Sequence, residues 1–491
     1  MNLLHDDFIS TTQGKVSLKA ILTGVEDYQL QYYFDEIQLA MLQLLSALTT
    51  TVLQPTANEL QSYIKNGLSS EQYDAALSKI PIEWFDSNLF MQSKAPVNAK
   101  FPVGPITKLL SGVECGSSPD AIGLFSEVEH AEKSCPDCIH ALNYNLHMNI
   151  KGECFGPTGA TGIRGGGTIS TLIAGDTLKE TLLNNTIAVD YFSQNTQLDR
   201  DAITAPMWIE PQTGAVYQAK KIGLIRGLFA LAYHIEFSVD EKPCTCDICG
   251  HLSDKSVTTF NREKYTGHYG STRSGREGGA GWWPHPYTPQ TIKEDGVYAT
   301  CVREQHWQSW SELSSYVVGK ETNTGVVAPA YIVKQYQALE SPRKTHLLVG
   351  GNIAKKGSIL GRVYDLYSMP SSLNKQLSKV TQVIDAGLEQ QALLSKAFNK
   401  MFGVGYDKRF VGGIKTNAMQ QFSAKAQQVI QRNLLDVEQK EASVLRKLAV
   451  VELREETKRI FTAVQNKYQH DLPLFKALVK GGQVLSKQRS D

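Results

Sequence analysis

Two pairs of cysteines are the residues of this chain best suited to bind a metal ion. The members of each pair, Cys135 with Cys138 and Cys246 with Cys249, are separated by two residues, in a chain with only 8 cysteines among 491 residues. Four thiolates at this spacing are a common ligand set of a tetrahedral structural Zn²⁺ site. We therefore predict that one Zn²⁺ joins the pairs and pins two distant loops together beside the glycine-rich segment between them.

Two alternatives to this ligand set stay open. Cys244 precedes the second pair by two residues and could substitute for one ligand. A redox-active Cys-x-x-Cys is the competing interpretation, but two such pairs without a strand–helix–strand pattern around either make it weaker. In the metal interpretation the coordination is closed, so the ion stabilises the fold and catalyses nothing.

The segment between the pairs has glycine at every third position, at Gly156, Gly159, Gly162 and Gly165. It is too short for a collagen triple helix and lacks the Gly-Lys-Ser/Thr ending of a P-loop. Such a segment lets the backbone approach a sugar-phosphate chain closely. A tight structural turn is the alternative.

Enzyme motifs give little support for catalysis. The sequence has no His-Glu-x-x-His and no Gly-x-Ser-x-Gly pattern. In Trp283-Pro-His-Pro286 the histidine lies between prolines, where a rigid turn is better supported than a general base. We expect a protein that is not an enzyme.

Length and composition indicate a globular protein of two or three domains, with 42% hydrophobic and 20% charged residues. The most membrane-like stretch, Ile222–Phe237, contains Arg226, His234 and Glu236, so we expect no membrane segment. The N-terminus lacks the pattern of a secretory signal. We expect a cytoplasmic protein, in which paired cysteines bind metal rather than form disulfides.

Charge is distributed unevenly along the chain. Residues 371–491 contain 20 Lys and Arg against 11 Asp and Glu, although the whole chain has a formal net charge of only +1. A basic C-terminal segment on an acidic body indicates contact with a polyanion at one end and with protein at the other. A solvated helical surface rich in lysine explains the same counts.

Hydrophobic periodicity changes near residue 371. From there apolar residues recur at helical spacing, with Leu377, Val380, Ile384 and Leu388 as the first stripe. We predict four helices that form an antiparallel bundle, with Gly403–Gly413 separating the first two and Asp471–Pro473 separating the last two. The other predicted core residues are Met419, Phe422, Ala426, Val429, Leu445, Leu448, Ile460, Val464 and Tyr468.

The preceding residues show mixed patterns. Residues 32–53 and 57–79 have helical spacing, whereas 296–302, 326–333 and 345–349 are typical of strands. We expect Pro329 to place its strand at a sheet edge, because proline donates no ladder hydrogen bond. The fold class predicted is α+β, with a large irregular mixed α/β N-terminal domain, 1–370, and a C-terminal four-helix bundle, 371–491.

A series of short motifs occurs in order from residue 1 to about residue 365. They are Met1-Asn-Leu-Leu-x-Asp6, Cys135-x-x-Cys138, Gly162-Ile-Arg-Gly-Gly166, Pro206-Met-Trp-Ile209 with Pro211, Gly223-Leu-Ile-Arg-Gly-Leu-Phe229 with His234-Ile-Glu236, Cys246-x-x-Cys249, Phe260-x-x-Glu-Lys264, Trp283-Pro-His-Pro286, and Gly350-Gly351 before Ser358-Ile-Leu360. Together they resemble the CasA family, the large subunit of the type I-E CRISPR surveillance complex Cascade.

The resemblance implies a non-catalytic subunit with several partners. These are the other Cascade subunits, the crRNA 5′ end, double-stranded target DNA and the helicase-nuclease that cuts it. Such a subunit recognises a protospacer-adjacent motif mainly from the minor groove and helps to open the duplex, while base pairing reads the sequence. The minor groove presents a degenerate pattern, so we expect several motifs to be tolerated.

The family's motif-sensing residues fall on two places. Its minor-groove lysine corresponds to Lys264, for which an exposed hairpin lysine without that role is the alternative. Its glycine loop corresponds to the stretch Gly156, Pro157, Thr158, Gly159 and Ala160. Where the family pattern has consecutive glycines this chain has proline and threonine, and proline offers no N–H to a base.

Two further family roles are carried over. The hairpin that separates the strands corresponds to Ala354, Lys355, Lys356 and Gly357, where lysines replace a planar amide side chain. The aromatic residue that contacts the crRNA handle corresponds to Phe125, with core packing as the alternative.

Two function hypotheses remain. The first is a Cascade subunit that binds DNA and RNA, and the second is a free-standing zinc-stabilised enzyme or scaffold unrelated to nucleic acid.

Overall fold

The computed structural model describes most of the chain in two compact units. The first unit is formed by residues 1–305, 319–341 and 345–366, and the second by 306–318, 342–344 and 367–491. The second unit thus takes in three short segments that the sequence assigns to the body, 306–318, 342–344 and 367–370. The described residues are 1–92, 103–110, 131–150, 159–165, 169–196, 198–269, 283–292, 298–300, 309–322, 325–339, 345–355, 358–370 and 373–486.

Helices and strands are mixed in the first unit, whereas long helices dominate the second, which confirms the α+β class. The helices α1 to α14 are Leu18–Thr23, Asp35–Leu53, Ala57–Asn66, Ser70–Leu77, Ile139–Met148, Leu178–Asn184, Val189–Asn195, Leu224–Leu228, Leu313–Val317, Tyr331–Ala338, Leu373–Phe398, Lys408–Leu435, Ala442–Lys467 and Leu472–Ser486. The strands β1 to β16 are Ile9–Thr11, Gly14–Val16, Val103–Pro105, Ser170–Ala174, Val216–Tyr217, Tyr233–Asp240, Cys244–Thr245, Leu252–Ser253, Ser256–Lys264, His268–Tyr269, Gln290–Ile292, Tyr298–Thr300, Lys320–Thr322, Gly325–Ala328, Thr345–Lys355 and Ser358–Met369.

Helix α2 forms the core of the first unit. It contacts α4, α5, α6, α8 and β15, and almost all of its residues are buried. Among the described residues it is the one helix long and apolar enough to cross a membrane, and 94% of the relevant window is buried inside the protein. This is the pattern of a core helix.

Two three-stranded sheets carry the residues of functional interest. One has the order β3-β9-β6 and the other β16-β15-β4. In the first, β6 and β9 pair antiparallel from Tyr233↔Lys264 to Asp240↔Ser256. In the second, β15 pairs antiparallel with β4, which brings Gly350 opposite Ser170.

The predicted helix over 57–79 is two helices. Each begins with a capping box, formed by Thr56 with Glu59 and by Ser69 with Gln72. Gly67, at φ +83°, ends the first helix, because glycine adopts this conformation without steric cost. The helix predicted over 32–53 is confirmed and begins at Asp35.

The strand predicted over 326–333 is wrong in its second half. Strand β14 ends at Ala328, and helix α10 begins at Tyr331. The expected edge position is wrong as well, since β14 pairs with both β11 and β13. Pro329 follows the strand and ends the ladder instead of occupying an edge. The strands near 298 and 345 are confirmed as β12 and β15.

Helices α11 to α14 form the predicted four-helix bundle, in which α11 contacts the other three. Most predicted stripe residues face its core, but Leu448 is 38% exposed. The first break lies earlier than predicted. Helix α12 starts at Lys408 because Asp407 caps its N-terminus by accepting from the N–H groups of Arg409 and Phe410. Gly412 and Gly413 therefore lie inside the helix.

Candidate metal centre and nucleic-acid interface

The four cysteines predicted as metal ligands converge in the structure. The Sγ atoms of Cys135, Cys138, Cys246 and Cys249 lie within 4.8 Å of one another, and all four residues are buried. Sγ of Cys135 is 4.0 Å from Sγ of Cys249, close to the separation of about 3.8 Å that tetrahedral Zn–S bonds of about 2.3 Å impose. The donor set and its geometry fit a closed structural zinc site.

Backbone hydrogen bonds shape both cysteine loops. The N–H of Cys135 donates to Sγ of Cys246 at 3.2 Å, and the N–H of Gly250 donates to the carbonyl of Cys246 at 2.8 Å. Gly250 has φ +80°, and a Cβ there would lie 2.0 Å from the hydroxyl oxygen of Tyr33. The second loop is therefore held against the first and against Tyr33.

Hydrogen bonding among the thiols favours deprotonation of the second pair. Contacts with the Cys135 and Cys138 thiols lower the pKa of Cys249 to about 7 and also lower the pKa of Cys246. The contact with Cys135 and burial raise the pKa of Cys138. The second pair is thus biased towards thiolate, the form that binds metals.

Cys244 does not join the cluster. Its side chain is half-buried, and its Sγ contacts the carbonyl oxygen of Lys255 at 3.6 Å.

An ion pair between Lys15 and Asp137 lies beside the first cysteine loop. It connects the β1–β2 hairpin to the residues between Cys135 and Cys138.

Strand β9 leads from the cysteine cluster to Lys264. Val257, near its start, exchanges two backbone hydrogen bonds with Ser134, at 2.8 and 2.9 Å. Lys264 is its last residue and is exposed. Because strands rise about 3.3 Å per residue, Lys264 lies roughly 23 Å along the strand from Val257.

The described end of the glycine segment lies beside the same strand pair. The N–H of Ala160 donates to the hydroxyl of Tyr233 at 2.8 Å, and Tyr233 is the register partner of Lys264. A Cβ at Gly162 would lie 2.6 Å from the carbonyl oxygen of His147 at the end of α5. Glycine is required there because the segment passes directly over the helix end.

The cysteine cluster and the described glycine residues are not side by side, which corrects the expected arrangement. Helix α5 starts immediately after Cys138 and ends beside Gly162, so about 15 Å of helix separates them. The cluster holds one end of α5 and of β9, and the glycine segment and Lys264 lie at the other end of both.

Arg164, between the last two glycines of the glycine segment, is a buried anchor that sequence reasoning missed. All five of its N–H groups have acceptors, namely Thr288 Oγ1, the carbonyl of Met148, Asn149 Oδ1, the carbonyl of Ile169 and Ser170 Oγ. Burial lowers the pKa of Arg164 to about 10. Its acceptors come from segments far apart in sequence, so the only local signal was an arginine between glycines.

The Trp283–Pro286 motif belongs to the core. His285 is buried, and burial lowers its pKa well below the ordinary value. Its Nδ1 lies 3.1 Å from the hydroxyl of Thr288, which also accepts from Arg164. A Cβ at Gly227 would meet the Trp283 ring at 2.2 Å. The motif thus belongs to the packing around Arg164, the anchor of the glycine segment, and does not form a general-base site.

Comparison with known proteins places this architecture in one family. The family model for CRISPR-associated protein Cse1 matches residues 2–464. The chain belongs to the Cse1 family. This confirms the resemblance to the CasA family, the large subunit of type I-E Cascade.

Solved Cse1 structures share the fold across the whole chain. The structure of Thermus thermophilus CasA (Cse1) has a TM-score of 0.70 at 15% identity and covers 99% of this chain and 98% of that one. Thermobifida fusca Cse1 has a TM-score of 0.69 at 13% identity, with the same coverage. A chain of a structure titled "CRISPR RNA-guided surveillance complex" has a TM-score of 0.63 at 14% identity and covers 99% of both chains.

The wedge residues implied by the Cse1-family resemblance fall at the tip of the β15–β16 hairpin. Ala354 and Lys355 end β15, and β16 begins at Ser358. Lys356 and Gly357 lie outside the described residues. Strands β15 and β16 are neighbours in one sheet.

Other Cse1-family roles fall on residues that the structure does not describe. These are Phe125, assigned to the crRNA handle, and Gly156, Pro157 and Thr158 of the glycine loop. Gly159 and Ala160 are described. The structure therefore brings together Lys264 and the end of the glycine loop, and it places the four cysteines in one cluster.

Proposed function

We propose that this Cse1-family chain recognises a protospacer-adjacent motif in double-stranded DNA, mainly from the minor groove, and helps to open the duplex for crRNA pairing. The observation that carries the proposal is that Tyr233 links the two segments. It is the register partner of Lys264, and its hydroxyl accepts from the N–H of Ala160. A long cationic donor and a small-residue loop at one strand end suit a narrow groove whose floor presents acceptors.

Motif recognition here depends on few contacts. Lys264 supplies a flexible donor to the acceptors of the groove floor, and the loop Gly156–Ala160 approaches the backbone. Since Pro157 has no N–H, the contacts of this loop come from its neighbours Thr158 and Gly159. Such a reader tolerates several motifs, because the minor groove distinguishes A·T from G·C and little more.

A bound Zn²⁺ would be held by Cys135, Cys138, Cys246 and Cys249. Its contribution is structural, since four thiolates fill a tetrahedral site. The cluster fixes the start of α5 and of β9, so it sets the direction in which both elements approach Lys264 and the glycine loop. Catalysis is not part of the proposed role.

The proposed division of labour follows the two domains. Residues 1–370 sense the motif, Ala354, Lys355, Lys356 and Gly357 separate the strands, and Phe125 contacts the crRNA 5′ handle. Residues 371–491 contact neighbouring Cascade subunits or the displaced strand. The chain also provides a docking surface for the helicase-nuclease and acts in the cytoplasm.

A lysine substitution tests motif recognition. We expect Lys264→Ala in an assembled Cascade to weaken binding to motif-bearing duplex DNA by roughly 10-fold or more, since one good groove contact contributes about 1–3 kcal/mol. Binding is measured across a library of flanking motifs. Assembly of the complex should be unchanged.

Lys255→Ala is the matched control. Lys255 is an exposed lysine at the opposite end of the same strand, so its removal changes the net charge equally. Equal effects of the two substitutions on motif binding would contradict a specific role for Lys264.

A further inference from the structure

The anchor of the glycine segment belongs to a buried hydrogen-bonded network. Arg164 donates to Oδ1 of Asn149, and Nδ2 of Asn149 donates to Oδ1 of Asn145 at 3.2 Å and to Oε1 of Gln43 at 2.9 Å. Asn145 lies in α5 and Asn149 is its C-cap residue, one turn further on, so they face the same neighbour. That neighbour is α2.

The network continues across α2 to an acidic pair. Nδ2 of Asn145 donates to Oε2 of Glu36 at 3.2 Å, and Glu36 is only 4% exposed. Asp35 precedes it in the first turn of the helix. A buried carboxylate requires a partner, because an unpaired charge in the interior is costly.

Arg362 of the β15–β16 hairpin is that partner. Its Nη1 lies 2.8 Å from Oε1 of Glu36, and its Nη2 pairs with Asp35. The Arg362 side chain is 17% exposed, so water screens the pair only weakly. The network therefore runs from the glycine segment to the hairpin.

A second connection runs through the sheet. Ser170 on β4 accepts from both Arg164 and Gln43 at 2.8 Å, and it is the register partner of Gly350 on β15. A Cβ at Gly350 would lie 2.8 Å from Leu39 of α2, so β15 packs directly on the helix. Lys355, at the hairpin tip, is five residues further along, about 17 Å.

We propose that the side chains of Arg164, Asn149, Asn145, Glu36 and Arg362 position the glycine segment and the β15–β16 hairpin in one fixed arrangement, so that motif recognition and duplex opening act on the same stretch of DNA. This inference rests on the proposed function of both segments. The five residues are positioning residues and contact no DNA themselves.

A target that is already open distinguishes positioning from general stability. We expect Cascade containing Arg362→Met or Glu36→Gln to keep its motif preference but to open a fully paired target about 3- to 30-fold more slowly, the range typical of energetic coupling between sites. Fluorescence of 2-aminopurine in the first protospacer base pairs reports opening. A target with mismatches in those pairs should restore the wild-type rate.

Lys19→Met is the matched control, because it removes an exposed ion pair with Asp74 in the same unit. It should leave opening of both targets unchanged. Equal slowing of Arg362→Met on paired and mismatched targets would show a general folding defect and overturn the positioning role. Unchanged opening of the paired target would overturn it as well.

The hairpin variant separates this inference from the proposed function. Combined Lys355→Ala and Lys356→Ala should slow opening of the paired target. If it does not, the wedge function fails and the inference fails with it. If the double lysine variant slows opening of the paired target, while the Arg362→Met complex opens it at the wild-type rate, only the network is contradicted.

Discussion

At the residue scale, buried polar side chains fix the backbone around the proposed DNA-reading site. His147 is one of them, since its Nδ1 accepts from the N–H of Ala232 at 3.0 Å. Ala232 directly precedes Tyr233 in the sequence. Acceptance at Nδ1 places the proton of the neutral ring on Nε2. The histidine thus ties the start of β6 to the end of α5, where its carbonyl lies close to Gly162.

Acid should destabilise the first unit through this histidine. Burial lowers the pKa of His147 from 6.5 to about 3, so its stabilising contribution is complete above pH 6.5 and is lost as the pH falls towards 3. Between pH 7 and pH 5 the free energy of unfolding should fall by about 2 kcal/mol from this residue. Urea unfolding at both pH values measures it.

His147→Asn is the comparison for this prediction, because the asparagine oxygen can still accept from Ala232 but does not titrate. The variant should lose less stability between pH 7 and pH 5 than the wild type. Since any acid release of metal affects both proteins, the difference reports His147. Identical pH dependence would contradict the assignment.

At the element scale, the cysteine cluster organises two elements at once. Helix α5 follows Cys138 without a linker, and β9 begins seven residues after Cys249. Helix α5 then runs to the glycine segment, and β9 runs to Lys264. A metal bound by the four cysteines would set the direction of both the helix and the strand.

Loss of the metal should loosen both elements. We expect Cys135→Ser to abolish stoichiometric zinc and to lower the free energy of unfolding by several kcal/mol, because structural zinc binding contributes on the order of 10 kcal/mol in small domains. Elemental analysis and denaturant unfolding measure the two effects. The site would be contradicted if the wild type contained no zinc and Cys135→Ser had the same free energy of unfolding as the wild type.

Cys244→Ser is the matched control, since this thiol lies outside the cluster and is half-buried. Its zinc content and stability should equal those of the wild type. A loss of zinc in this variant would instead support Cys244 as a ligand.

Local patterns predicted some elements and sites, and long-range contacts decided the rest. The bundle followed from helical periodicity, and the cysteine cluster from ligand spacing, because both signals lie in short windows of sequence. The helix at Tyr331 was missed, since the stretch Val326–Val333 is apolar and rich in β-branched residues, and Pro329 divides it. Arg164 was missed because its neutral acceptors become neighbours only in the folded chain.

At the scale of the whole molecule, charge separates the two ends of the chain. Residues 371–491 are net basic and the preceding residues are net acidic. The bundle carries exposed lysines on several helices, among them Lys408, Lys458, Lys476 and Lys480. Exposed lysines of this kind suit contact with nucleic acid, because neutralising phosphates releases counterions.

Target binding by the complex should depend on salt partly through this surface. Replacing those four lysines by alanine should weaken binding at low salt and reduce the slope of log affinity against log salt by up to about 0.9 for each DNA phosphate that the variant no longer neutralises. Titration of target DNA at several salt concentrations measures the slope.

Alanine at Lys65, Lys79, Lys220 and Lys242 is the control, because these exposed lysines lie in the acidic part of the chain. We expect the salt dependence of this control to match the wild type. Equal changes in the two quadruple variants would count against a specific role for the bundle.

The burial of α2 constrains how the chain is synthesised. The helix ends at Leu53, but β15, which covers one of its sides, ends at Lys355. At translation rates of 5–20 residues per second, the ribosome needs roughly 15–60 s to produce the intervening chain. During that time a helix apolar enough for a bilayer lacks one of its covers, so the nascent chain exposes apolar surface until β15 has been made.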